Sequence, residues 1–188
     1  MSELRIYSDQ GGSALKRQSN FDDIAASLDG IGVLFERWRA DVELDPEANQ
    51  DEVIEAYCEP IDRLMSQYGF QSVDVVGMHP EHPSKDELRE KFLHEHRHGD
   101  FEVRFFVDGA GLFYIHHQDK VYVVHCTRGD LISVPANTPH WFDMGAKPYF
   151  KAIRLFTTAE GWVAKYTGDD IARRFPNMDE FLAEPKAA

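Results

Sequence analysis

Between Leu93 and about Phe156 the chain is a succession of short runs rich in aromatic and β-branched residues: FEVRFFVDG, AGLFYIHH, KVYVVHC, DLISVP and YFKAIRLF. Turn-forming residues punctuate them, at Asp108-Gly109, Gln118-Asp119, Arg128-Gly129, Asn137-Thr138-Pro139 and Gly145. Several short strands at this spacing predict an antiparallel barrel or sandwich. In the 188-residue chain, that region (about 90–158) forms the core of one expected domain, 1–188, which is mainly β with flanking helices.

The flanks read differently. Residues 1 to about 90 look mixed and mostly helical. Asn20 is placed to cap a helix over Phe21 to Leu28, which Gly30 stops. Ile31 to Trp38 fits a strand or a continued helix equally well. Asn49 to Tyr68 has helical spacing interrupted by Pro60, which predicts a kink or two shorter helices, and Gly69 closes the segment. Asp86 to Phe92 adds one or two helical turns. The tail, 159–188, is partly helical and then polar.

Charge and composition exclude several roles. The net charge of −13 argues against nucleic acid and against an anionic membrane surface, both of which attract basic stripes. No run approaches the roughly 18 apolar residues of a membrane helix. The polar start, MSELRIYSDQGG, lacks the pattern of a secretory signal, and Cys58 and Cys126 lie far apart, so a cytoplasmic protein with two free thiols is expected.

The chemistry is concentrated in the histidines. Of nine, three stand at 94, 96 and 98, two at 116 and 117, and one at 140. Side chains alternate along a strand, so His94, His96 and His98 share a side, and after a bend at Gly99-Asp100 so do Glu102 and Arg104. Phe101, Val103, Phe105 and Val107 take the other face. A carboxylate buried without a partner in such a strand would be costly, and a bound cation removes the cost. His140 arrives about forty residues later, directly after Pro139, and an antiparallel barrel can bring it alongside. Three imidazoles and one carboxylate suit a divalent transition metal such as Fe, Ni, Mn, Co or Zn better than Ca or Mg. In an octahedral ion they leave two positions for water or substrate; a closed tetrahedral zinc site is the structural alternative. His94 lies outside the spacing. His116 and His117 face opposite ways, Glu95 points away from His96 as a solvated charge, and His79, His82 and His125 have no evident partners.

The spacing His96-x-His98-x-x-x-Glu102 with Gly109 seven residues on, followed by Gly129-Asp-Leu-Ile-Ser-Val-Pro135-Ala-Asn137-Thr-Pro-His140, resembles the paired motifs of the cupin superfamily. Asn137 stands where cupins usually have glycine, and asparagine tolerates the left-handed backbone of such a turn. Within that superfamily, Glu95-His96-Arg97-His98 leading into Glu102 to Val107, VPANTPHWFDMG (Val134 to Gly145) and Lys151 to Phe156 resemble the acireductone dioxygenase family of methionine salvage. That family often has an acidic residue just before the ligand glutamate; here Phe101 stands there and Asp100 one place earlier.

The resemblance implies a cupin-type barrel with one Fe(II) or Ni(II). It implies cleavage of 1,2-dihydroxy-3-keto-5-methylthiopentene by O2. The iron form gives formate and 4-methylthio-2-oxobutanoate; the nickel form gives formate, carbon monoxide and 3-methylthiopropanoate. Arg104, on the ligand face, and Arg154, on a neighbouring strand, are the candidates to stabilise the substrate's charge. Phe142, by parity with His140, and Trp162 are candidates for an apolar pocket wall. The partners expected are this small molecule and O2, with the oligomeric state open and a monomer sufficient. Two other readings use the same ligands: a non-redox cupin isomerase or lyase, and a non-enzymatic small-molecule-binding cupin.

Overall fold

Hydrophobic alternation along extended segments builds most of the molecule. The structure, a computed structural model, describes residues 1–45, 48–158 and 163–184. Its strands are β1 (Glu3–Ser8), β2 (Lys16–Gln18), β3 (Leu34–Arg37), β4 (Ser72–Met78), β5 (His96–Arg97), β6 (Glu102–His117), β7 (Lys120–Thr127), β8 (Asp130–Val134), β9 (His140–Asp143), β10 (Phe150–Phe156) and β11 (Lys165–Tyr166). The α-helices are α1 (Phe21–Asp29), α2 (Gln50–Ala56), α3 (Cys58–Tyr68), α4 (Lys85–Phe92) and α5 (Met178–Ala183). One sheet runs β11-β5-β9-β6-β7-β1-β2, the other β4-β10-β6-β8-β3, and the pairings are antiparallel. Among the described residues these ladders do not close into a complete ring.

Strand β6 belongs to both sheets. Its first half pairs with β8 and β10, and its second half with β7 and β9. The turn expected at Asp108-Gly109 is therefore not a turn: the chain continues as one 16-residue strand. Gly109 instead makes a bend, with φ +66°, where a Cβ would sit 2.0 Å from the Tyr149 carbonyl oxygen. A register shift follows two residues away, where Val107 is left without a partner between Lys151 and Ala152. At the bend, glycine is needed for close backbone approach as well as for its conformation.

The alternation along β6 sorts the core. Phe106 packs inside with Phe113, Phe142 and Phe150, whereas Val103, Phe105 and Val107 face outward beneath Val53, Tyr57, Ile61 and Leu64 of the α2–α3 region. Both faces of the strand are thus covered. On the outer side of the other sheet, Tyr114 stacks on Trp141 at 4.9 Å, under Phe175 and Phe181.

The N-terminal part is less helical than its composition implies. Four strands, β1 to β4, lie within it. In β1, Glu3 and Arg5 read as solvent residues but are buried: Arg5 Nε lies 2.7 Å from Glu3, and its other nitrogens donate to Glu184 and the Phe181 carbonyl, both at 3.0 Å. Ile31 to Trp38 resolves in favour of a strand, β3. Asn20 caps α1 by accepting from the Asp22 and Asp23 amides. The Asn49–Tyr68 segment breaks at Tyr57 into α2 and α3. Pro60 falls in the first turn of α3, where its missing N–H breaks no helical bond.

Asn137 adopts φ +62° and its amide donates to the His98 carbonyl at 2.8 Å, tying the second motif to the first. Asn137→Val, which disfavours that conformation, should cost about 1–2 kcal/mol in urea unfolding, whereas Asn137→Gly should be nearly neutral.

Candidate metal centre

The topology brings the two motifs together. His96 of β5 pairs directly with His140 of β9, and β9 in turn pairs with β6. One ligand atom from each of His96, His98, Glu102 and His140 lies within 4.8 Å of the others. The four residues are 7, 6, 1 and 2% exposed. Glu102 Oε2 is 2.9 Å from His98 Nε2 and 3.0 Å from His140 Nε2. Adjacent donors each about 2.1 Å from a shared octahedral ion would be about 3.0 Å apart, so the spacing matches. Among the described residues, no other group of three or more His, Cys, Asp or Glu converges in this way.

Two of the three imidazoles are held in the tautomer a cation requires. His96 Nδ1 donates to the His94 carbonyl at 2.7 Å and His140 Nδ1 to the Thr138 carbonyl at 2.8 Å. With the proton on Nδ1, neutral imidazole presents a lone pair at Nε2. His140 Nε2 and Glu102 Oε2, 3.0 Å apart, face one another with room for a shared cation at their meeting point. Burial lowers the His96 pKa to about 4, so its lone pair is available at neutral pH. Burial disfavours the Glu102 charge, but Arg104, His140 and His98 together outweigh it and hold the carboxyl well below its usual value. These residues fit a divalent transition metal.

Arg104 sits behind Glu102, 5% exposed, with Nε 2.8 Å from Glu102 Oε1. Its guanidinium lies over the Phe142 and Phe113 rings at 4.6 and 5.1 Å. A cavity of about 340 Å³ opens in front of the ligands, lined by His96, His98 and Glu102 together with Arg104, Arg154, Asp74, Phe92, Phe156 and Tyr166. Arg104 and Arg154 are neighbours across β6 and β10, and both reach this space. Larger grooves occur elsewhere, but they lack such a donor set.

The other expected site residues fall differently. Phe142 is 1% exposed, packs on Phe113 at 5.0 Å, and supports Arg104 from the core rather than lining the cavity. Trp162 lies outside the described residues. His94 turns away toward Glu90, at 3.5 Å. Glu95 is not a solvated charge: it is 4% exposed, accepting from Thr167 at 2.7 Å with His116 Nδ1 at 2.8 Å. His116 thus anchors the strand that carries His96. Asp100 is structural, accepting from the Phe101 and Thr157 amides. Asp74, Phe92, Phe156 and Tyr166 went unnoticed in the sequence. Phe156 shares parity with Arg154 on β10 and could have been found; Asp74 carries no local signal.

Known proteins of the same kind supply the context. Residues 3–164 match the model of the ARD/ARD' family. The acireductone dioxygenase of Aquifex aeolicus is 61% identical over 182 residues, which is 97% of this chain and 99% of that one. The acireductone dioxygenase of Methylococcus capsulatus is 57% identical over 182 residues, 97% of this chain and 98% of that one. A solved acireductone dioxygenase from Bacillus anthracis, with a cadmium ion in its active centre, superposes with a TM-score of 0.77 at 34% identity, covering 88% of this chain and 98% of that one. With this coverage at these identities, the chain belongs to the ARD/ARD' family, that of the acireductone dioxygenases.

Proposed function

We propose that His96, His98, Glu102 and His140 hold one divalent metal, Fe(II) or Ni(II), and that the chain is an acireductone dioxygenase acting on 1,2-dihydroxy-3-keto-5-methylthiopentene and O2. The observation that carries this reading is the convergence of three imidazoles and one carboxylate at the wall of a cavity that two arginines also line. When bound, a divalent ion supplies the Lewis acidity that makes an enediol acidic enough to lose its protons. The chain supplies the rest. Arg104, fixed by Glu102 and the aromatic rings beneath it, presents a guanidinium to the enediolate charge. Arg154 adds a second from β10. Phe92, Phe156 and Tyr166 give the cavity apolar wall, suited to the thioether tail.

The same proposal takes 1–188 as one cupin unit working in the cytoplasm, with no nucleic-acid or membrane partner; a monomer suffices, since the four donors come from one chain. No helix among the described residues is long and apolar enough to cross a membrane.

The test is product identification with metal-free protein reloaded separately with each ion. Fe(II) should yield formate and 4-methylthio-2-oxobutanoate; Ni(II) should yield formate, carbon monoxide and 3-methylthiopropanoate. Failure to consume O2 with either ion would favour the non-redox isomerase or lyase. Arg104→Met should keep full metal content yet lose about 100-fold in kcat/KM, near 2.7 kcal/mol. His117→Ala should leave both unchanged. Undiminished turnover in Arg104→Met would remove Arg104 from the chemistry.

A further inference from the structure

Asp74 is a puzzling neighbour for an anionic substrate. It lines the same cavity as the donor set, and a bare carboxylate there would repel an enediolate. Both of its oxygens are engaged, however: Arg154 Nε donates to Oδ1 at 2.7 Å and Arg154 Nη2 to Oδ2 at 2.6 Å. The pairing is two-pronged, the arrangement in which an arginine is oriented as well as neutralised. The backbone enforces it, because Asp74 and Arg154 are directly opposed across β4 and β10.

The position of β10 gives this contact a further meaning. β10 lies between β4 and β6, so Arg154 has Asp74 on one side and the strand bearing Glu102 and Arg104 on the other. Arg104 is its direct opposite on β6, and Glu102 is the diagonal neighbour on the same face. Such diagonal positions are about 7–8 Å apart, within reach of a long side chain. Glu102 already has Arg104 at Oε1, while its Oε2 points at His98 and His140. A second guanidinium swung toward that carboxylate would compete for the oxygen that faces the imidazoles.

We propose that Asp74 is a positioning residue: it holds the Arg154 guanidinium at the outer wall of the cavity, keeping it off Glu102 so that the carboxylate serves the metal while Arg154 meets substrate. This rests on the assignment of the metal ligands above and deepens it. Asp74 itself touches neither metal nor substrate; it acts through Arg154.

The experiment compares Asp74→Asn, Asp74→Glu, Arg154→Met and Asp74→Asn/Arg154→Met with the wild type and His140→Ala. Mn(II) is titrated into each metal-free protein and followed by electron paramagnetic resonance of the unbound ion, and KM and kcat are measured after reloading with Fe(II). Asp74→Asn should bind Mn(II) about tenfold more weakly and raise KM about tenfold, with kcat within about threefold. Asp74→Glu should recover most of both. In the double variant, removing the misplaced guanidinium should restore Mn(II) affinity to the wild-type value while KM stays as high as in Arg154→Met. A folding defect would not be repaired by the second substitution. Wild-type Mn(II) affinity and KM in Asp74→Asn would overturn the proposal, as would a double variant that binds Mn(II) as weakly as the single. Wild-type Mn(II) binding by His140→Ala would instead overturn the ligand assignment itself.

Discussion

His140→Ala protein is expected to retain less than about a tenth of the bound metal and to lose on the order of 10³-fold or more in turnover, at least about 4 kcal/mol of transition-state stabilisation. His140 closes the site from β9. It faces His96 across the β5–β9 pair and Glu102 Oε2 at 3.0 Å, so its removal opens one side of the cluster. The remaining donors come from a short stretch of chain, His96 to Glu102, and no longer surround a point. Excess metal should not restore activity. Metal content by elemental analysis and turnover by O2 uptake are the paired measurements. The far-ultraviolet circular dichroism should match the wild type, which separates loss of the site from loss of the fold. A variant that kept stoichiometric metal would show that the cluster is not the binding site.

Asp143→Ala should lower the unfolding free energy by about 3–5 kcal/mol, the usual cost of breaking a buried ion pair from one side. Asp143 is fully buried three residues after His140. Its carboxylate accepts from Arg89 Nε at 2.7 Å and Nη2 at 3.0 Å, from the Met178 amide at 2.7 Å and from the Gly145 amide at 2.9 Å. One side chain therefore ties α4, the start of α5 and the turn after β9 to a single point. Alanine would leave two amides without their acceptor and Arg89 with only Asp179, at 3.4 Å. Because the same strand positions His140, metal affinity should weaken too. Urea unfolding of metal-free protein measures the stability effect apart from the metal; a change below about 1 kcal/mol would mean that the network relaxes onto water.

The candidate site was more legible than the architecture around it. The ligand spacing and strand parity singled out His96, His98, Glu102 and His140, and these four do converge. What parity missed has physical reasons. Strand β1 was obscured because Glu3 and Arg5 give it a solvent-like composition, and only the distant Phe181 and Glu184 explain how they are buried. Asp108-Gly109 looks like a turn because glycine permits one; the contact that demands glycine there is with Tyr149, forty residues away. Phe142 shares the ligand parity, but the interior it faces is packed core at that depth. Asp74 and Glu95 acquire their roles from Arg154 and from His116 and Thr167, partners that no local pattern identifies.

The sharing of β6 by both sheets has a kinetic corollary. Its backbone completes ladders with β7, β8, β9 and β10, so neither sheet can open its centre without releasing this strand. The amides of β7 and β10, which pair with different halves of β6, should then exchange with deuterium at the same limiting free energy, that of global unfolding. With ladders such as β1 to β7 joining segments more than a hundred residues apart, refolding should be slow and should restore both sheets in a single phase.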